Sequence, residues 1–119
     1  MILVDTSVWV DHFRHDEPLL RDLLIAAQVL THPFIIGELA CGNLRRRQEI
    51  LQLLAALPKV EGASHEEVLH LVHTKALYGK GLGWIDAHLL ASALLNHIPL
   101  WTKDKRLAGI AQDLSIVPS

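Results

Sequence analysis

Cysteine occurs once in the chain, at Cys41, which excludes an intramolecular disulfide and a cysteine-based zinc site. Cys41 itself reads as a small buried hydrophobe. No apolar run approaches the roughly 20 residues needed to span a bilayer, and Met1 leads straight into a candidate strand with no basic leader segment. A cytoplasmic protein with no membrane partner is therefore expected. Internal repeats, low-complexity segments and linkers are also lacking. Nor is there a surplus of charge: the net value is -2. Setting aside four acids nominated below makes the remainder positive, which permits nucleic acid as a partner without arguing for it.

What is present is half apolar, 20% charged and positive in mean hydropathy at +0.28, as expected of one compact domain over residues 1–119. Its most informative stretch is the first. Ile2, Leu3 and Val4 form an apolar run that stops abruptly at Asp5, Thr6 and Ser7, a pattern that predicts a buried strand with Asp5 at its C-terminal end. A short helix is predicted over Val8 to Arg14. A second, opened by Glu17-Pro18, carries Leu19, Leu20, Leu23, Leu24 and Ala27 at amphipathic spacing. Val29 to Thr31 is a candidate second strand. Pro33 then opens a helix that Gly42-Asn43 breaks.

The segment Leu44 to Leu57, with its Arg45-Arg46-Arg47 start, reads as a helix ended by Pro58. Lys59 to Glu61 is a candidate third strand. Ser64-His65-Glu66-Glu67 is a capping-box pattern opening a helix through Ala76. Gly79, Gly81 and Gly83 make a loop that holds Lys80, and a helix from Trp84 or Ile85 runs to Asn96-His97. Ile98 to Trp101 is the fourth strand, a short helix follows from Asp104 to Gln112, and Leu114 to Val117 reads as a fifth strand. Nearly all-apolar strands alternating with helices predict a parallel sheet covered on both faces. The expected architecture is a three-layer α/β/α fold with a central five-stranded parallel sheet.

In such a sheet, right-handed crossovers start each helix at the edge where the strands end, and ligands bind there. Asp5 ends the first strand and Asp104 follows the fourth. Asp86 lies in the first turn of the helix leading to the fourth strand, and Glu38 sits roughly 7 Å down its helix at 1.5 Å per residue. All four acids can meet at one edge. Singly, Asp5, Asp86 and Asp104 also read as helix N-caps. Together, four crowded carboxylates would raise one another's pKa unless a cation neutralised them. No lysine or arginine is placed by sequence to do this for all four, and all-oxygen ligands favour magnesium or manganese. One or two such ions can activate a water and stabilise a phosphodiester leaving group, which is metal-dependent nuclease chemistry.

These residues resemble a family, the PIN-domain ribonucleases, and especially the small toxins of VapBC toxin-antitoxin pairs. The likeness covers the whole chain. It rests on Leu3 to Ser7, on Glu38-Leu39-Ala40-Cys41-Gly42, on Asp86 to Ala93 and on Thr102-Lys103-Asp104-Lys105-Arg106-Leu107. It implies that Asp5, Glu38, Asp86 and Asp104 bind the metal and form the catalytic site, with the hydroxyls of Ser7 or Thr102 assisting. It also implies five parallel strands, a homodimer, an RNA substrate, and a small DNA-binding antitoxin lying across the early helices. In two respects the chain departs from the family: it is near the family's short end, and its second and third strands are poorly marked.

Lys80 and Lys103, with Lys105 and Arg106, flank acids of the expected site and are candidates for phosphate contact, whereas the arginine triplet reads as a solvated helix start. Trp84 lies close to Asp86 in sequence, where stacking on an unpaired base is conceivable; Trp101 reads as core. His70 and His73 share a helix face, but no third zinc ligand accompanies them, and the histidines are expected at the surface. Two other classes compete with the nuclease. A phospho-acceptor receiver-like domain would need an acidic pair after the first strand, where Asp5 stands alone. A PIN-like binding module without catalysis would not need all four acids.

Overall fold

Ile2–Val4 forms the first strand, β1, and Leu3 and Val4 are both fully buried. Successive strand residues point to opposite faces, so the sheet is covered on both. The computed structural model that shows this describes residues 1–118; Ser119, the end of the predicted domain, lies outside them. After β1 come α1 (Thr6–His15), α2 (Pro18–Ile25), β2 (Val29–Leu30), α3 (Pro33–Cys41) and α4 (Arg47–Ala56). They are followed by α5 (His65–Thr74), α6 (Trp84–Leu95), β3 (Leu100–Trp101) and α7 (Lys105–Asp113). All strand pairs are parallel, in the order β2-β1-β3, with Ile2 opposite Val29 and Leu3 opposite both Leu30 and Leu100.

The sheet thus has three strands among the described residues, not the five expected. The two missing strands survive as single contacts at the sheet's margins. At one margin Thr31 bridges Lys59, through Thr31 N to Pro58 O at 3.0 Å and Val60 N to Thr31 O at 2.9 Å. Pro58 has no N–H to extend that ladder, and Gly62 follows closely. At the other margin Leu100 N donates to Ile116 O at 2.8 Å. Leu114 and Ser115 are drawn into the turn that ends α7, with Ser115 at φ 59°, so no strand length is left there.

Helix starts follow their sequence signals. Ser64 and Glu67 form the capping box of α5, and Pro18 and Pro33 occupy first-turn positions of α2 and α3. The arginine triplet is not helical throughout: Arg46 is a left-handed N-cap and α4 begins at Arg47. The central helix is α6. Every residue from Ala87 to Ala93 is buried, as for a helix apolar all round, and α6 packs against both α5 and β3. Two expectations fail on burial. Cys41 is exposed, because it ends α3 where the helix runs out to solvent. His32 and His88 are buried, not at the surface.

Candidate active site

β1 ends at Asp5, and the backbone fixes that end: Asp5 N donates to Trp101 O at 2.9 Å, tying it to the end of β3. The Asp5 side chain is 5% exposed. Its Oδ2 accepts from Ser7 Oγ at 2.7 Å, from Thr102 Oγ1 at 2.8 Å and from Ser7 N at 3.4 Å. Each hydroxyl has one proton, and both protons are committed to Asp5. The hydroxyl oxygens in turn accept backbone N–H groups, Ser7 Oγ from Lys103 N at 2.9 Å and Thr102 Oγ1 from Asp104 N at 3.1 Å. Ser7 and Thr102 therefore hold Asp5 and the Thr102–Asp104 turn together.

Asp104 caps α7, its Oδ1 accepting from Arg106 N at 2.9 Å and Leu107 N at 3.1 Å. Asp86, in the first turn of α6, accepts from Gly83 N at 3.2 Å through Oδ2. Glu38, on α3, accepts the Thr6 hydroxyl at 2.7 Å through Oε1. The capping alternative for the aspartates is thus real, but it engages one oxygen of each. Among the described residues Asp5 Oδ1, Asp86 Oδ1, Asp104 Oδ2 and Glu38 Oε2 accept no hydrogen bond. None of these is a sealed buried orphan either, so each carboxylate presents one oxygen that solvent can reach.

Asp86 senses the other three acids. The Asp86 carboxyl is raised above the usual aspartate value, first by burial and then by the charges of Asp5, Asp104 and Glu38, against the opposing Gly83 N–H bond. Burial is the larger cause, and the three charges are near enough to Asp86 to add to it. A cleft of about 270 Å³ opens there, lined by Asp86 and Asp104 with Gly81, Leu82 and the Lys105–Leu107 turn. Gly81 suits its place: its φ of +77° strains any residue with a side chain, and a Cβ there would also push the Arg106 guanidinium aside. A second groove of about 880 Å³ passes Thr6 and Glu38 and is edged by Arg14, Arg45 and Arg46.

Donor chemistry suits a hard divalent cation: oxygen ligands only, one free on each acid, with mutual repulsion that a cation relieves. As the side chains stand, no three His, Cys, Asp or Glu side chains among the described residues form a group that could hold a metal ion; binding one would require the carboxylates to close in, with water completing the shell. Of the other sequence candidates, Lys80 is exposed between Gly79 and Gly81. Lys103 turns its ammonium away, onto Asp11 and onto Glu17 at 2.7 Å. Those bonds raise its pKa and lower that of Asp11. Sequence reasoning missed Thr6 as the partner of Glu38, although the hydroxyl beside Asp5 was the available signal. It also set aside Arg45 and Arg46, whose place on the groove depends on a left-handed residue that spacing does not announce.

The family model for the PIN domain matches residues 2–113. Ribonuclease VapC32 of Mycobacterium tuberculosis, from strain CDC 1551 / Oshkosh and from strain ATCC 25618 / H37Rv, is 48% identical over 117 residues, which cover 98% of this chain and 94% of the relative. A family model matched over nearly the whole chain, together with this extent of likeness, shows that the chain belongs to the PIN-domain family.

Proposed function

We propose that the protein is an endoribonuclease that hydrolyses RNA phosphodiester bonds with the aid of magnesium or manganese, and that it serves as the toxin of a toxin-antitoxin pair, blocking translation. The observation that supports this reading is a carboxylate oxygen free of hydrogen bonds on each of Asp5, Glu38, Asp86 and Asp104, with the other three acids near enough to help raise the Asp86 pKa. The likeness to a protein named as a ribonuclease supports the same chemistry.

These four acids would hold the ion, which when bound activates water and neutralises charge on the phosphate. The remaining steps belong to the chain. Ser7 and Thr102 keep Asp5 fixed through two short hydrogen bonds, so its free oxygen is aimed before any ligand arrives, and preorganisation of this kind lowers the reorganisation needed at reaction. The Gly83 and Arg106 amides do the same for Asp86 and Asp104. Arg14, Arg45 and Arg46 supply positive charge along the groove beside Glu38, where an RNA backbone gains from phosphate contacts. Lys80 stands free to join them, while Lys103 works through Ser7 and the helix pair.

The protein is proposed to act in the cytoplasm as a homodimer neutralised by a small DNA-binding antitoxin; among the described residues no helix is long and apolar enough to cross a membrane. The test compares Asp5→Asn and Asp86→Asn, each shown to be folded, with wild type in an RNA cleavage assay with Mg2+ or Mn2+. Loss of cleavage in both is expected. Cleavage at the wild-type rate, with manganese binding unchanged, sinks the proposal.

A further inference from the structure

Two acids outside the edge, Asp11 and Glu17, converge on Lys103, the residue between Thr102 and Asp104. The Lys103 ammonium donates to Asp11 Oδ2 and, at 2.7 Å, to Glu17 Oε2. Its backbone N donates to Ser7 Oγ at 2.9 Å, and that hydroxyl donates to Asp5 Oδ2 at 2.7 Å. Ser7 and Asp11 are i and i+4 on α1, hence on one helix face. Lys103 therefore lies along that face, fixed to one turn of α1 by its backbone and to the next by its ammonium. Neither the Asp11 nor the Glu17 carboxylate has another hydrogen-bonded partner among the described residues, and Glu17, although it precedes α2, makes no side-chain capping bond. Its backbone is itself held to α1, Glu17 N donating to His12 Nδ1 at 3.0 Å.

We propose that Asp11 and Glu17 are positioning residues of the acid edge: through the Lys103 ammonium they clamp the Thr102–Asp104 turn to α1 and so fix where Asp104 and Thr102 stand relative to Asp5. The inference rests on the reading of those acids as the metal-holding site. The turn leaves β3 after a strand of two residues, so little ladder holds it. Apart from α7, which starts from it, the side chains that hold it by hydrogen bonds among the described residues are Asp5, Ser7, Asp11 and Glu17. A lone exposed ion pair holds little, but a network of charges with partly shielded members holds more. Here two carboxylates share one ammonium at side-chain exposures of 35% and 22% against 36%. Without Lys103 the two acids would face each other as like charges. The clamp also answers whether Lys103 contacts RNA, because the two uses have opposite signs. An ammonium used on phosphate would be freed by removing its acids, and RNA would bind more tightly. An ammonium used as a clamp loosens the turn when they are removed, and the acid edge holds metal less well.

The test compares wild type with Asp11→Asn, Glu17→Gln, Lys103→Met, Lys103→Arg and the double variant Asp11→Asn/Lys103→Met. Calorimetric titration of Mn2+ and single-turnover RNA cleavage read the site, and amide hydrogen exchange at Lys103 and Asp104 in EDTA reads the turn without metal or RNA. Each acid variant should lower manganese affinity and cleavage roughly 2- to 5-fold, the range for a partly exposed ion pair. Lys103→Met should lower both roughly 10-fold, the low end for a group that orients a metal ligand through another, and Lys103→Arg should keep most of the wild-type values. Asp11→Asn should cost nothing further once Lys103 is replaced by Met, and the exchange of both amides should quicken in the acid variants. Tighter RNA binding or faster cleavage in the acid variants would overturn the clamp and return Lys103 to phosphate contact. An equal cost of Asp11→Asn with and without Lys103 would also overturn it, as would a lower Tm with manganese affinity and exchange unmoved, which would make the ion pairs a matter of stability alone. Quickened exchange in the acid variants, with no cleavage by wild type under any divalent ion, leaves the clamp standing and removes the nuclease. Cleavage that needs Asp5 while exchange and manganese affinity ignore Asp11 and Glu17 removes the clamp and leaves the nuclease.

Discussion

The Thr102 hydroxyl donates to Asp5 Oδ2 at 2.8 Å, joining residues 97 positions apart. This bond and its Ser7 counterpart hold the strand-end carboxylate in one rotamer while leaving its other oxygen free. Thr102→Val keeps the side-chain shape and removes the donor. Cleavage rate and manganese affinity should each fall about 10- to 100-fold, the usual cost of losing a group that orients a metal-binding carboxylate. Single-turnover cleavage and calorimetric titration of manganese measure both, and unchanged values would leave Thr102 with no orienting role.

Asp86 should make the protein pH-sensitive in a definite direction. Its folded-state pKa is raised above 3.8 by burial and by three neighbouring acids. Stability from this group is therefore present below pH 3.8 and is lost as pH rises through the raised folded value. In divalent-free buffer at pH 7, Asp86→Asn should melt higher than wild type, with the difference closing at acid pH. Adding Mn2+ should raise the wild-type Tm more than that of the variant. Calorimetric scans with and without EDTA check both signs, and a variant that melts lower at pH 7 would contradict the account.

His32 titrates the other way. Its Nδ1 accepts the Phe34 N–H at 2.9 Å, and burial, followed by the nearby His88, lowers its pKa from 6.5. The unfolded chain then takes up the proton first, so stability should decline as pH falls from about 6.5 through the lowered folded value. His32→Asn retains an N-cap acceptor and removes the titration. Urea melts between pH 7 and pH 5 should show a shallower acid slope for the variant, and an unchanged slope would mean that His32 does not carry it.

Leu3 is fully buried at the centre of the sheet, paired on both sides. Leu3→Ala should cost about 2–5 kcal/mol, the range for a large-to-small core change. Urea midpoints give the value directly. A cost well under 1 kcal/mol would mean that the strand relaxes into the space.

The acids were legible because each stands next to a signal that survives translation into three dimensions. Asp5 ends an apolar run, Asp86 and Asp104 open helices, and Glu38 follows Pro33 at a countable distance. The helices were legible for the same reason, down to the Ser64–Glu67 capping box. The outer strands were not. Lys59 meets the sheet through one bridge of two hydrogen bonds and Ile116 through one hydrogen bond, and contacts that short are decided by the neighbouring turn rather than by a pattern of side chains. Burial of His32 and His88 escaped for a related reason. Each belongs to a cluster assembled from three helices, so no periodicity within one helix announces it.

The parallel register has a consequence beyond holding the core. Leu3 pairs with Leu100 and Val4 with Trp101, and Thr102 follows directly. A one-residue slip of β3 would shift Thr102 and Asp104 by about 3.3 Å along the strand and turn its side chains to the opposite face. A chain that folds out of register therefore parts Thr102 from Asp5 in the same event, so the pairing that builds the core also decides which side chains meet at the strand ends.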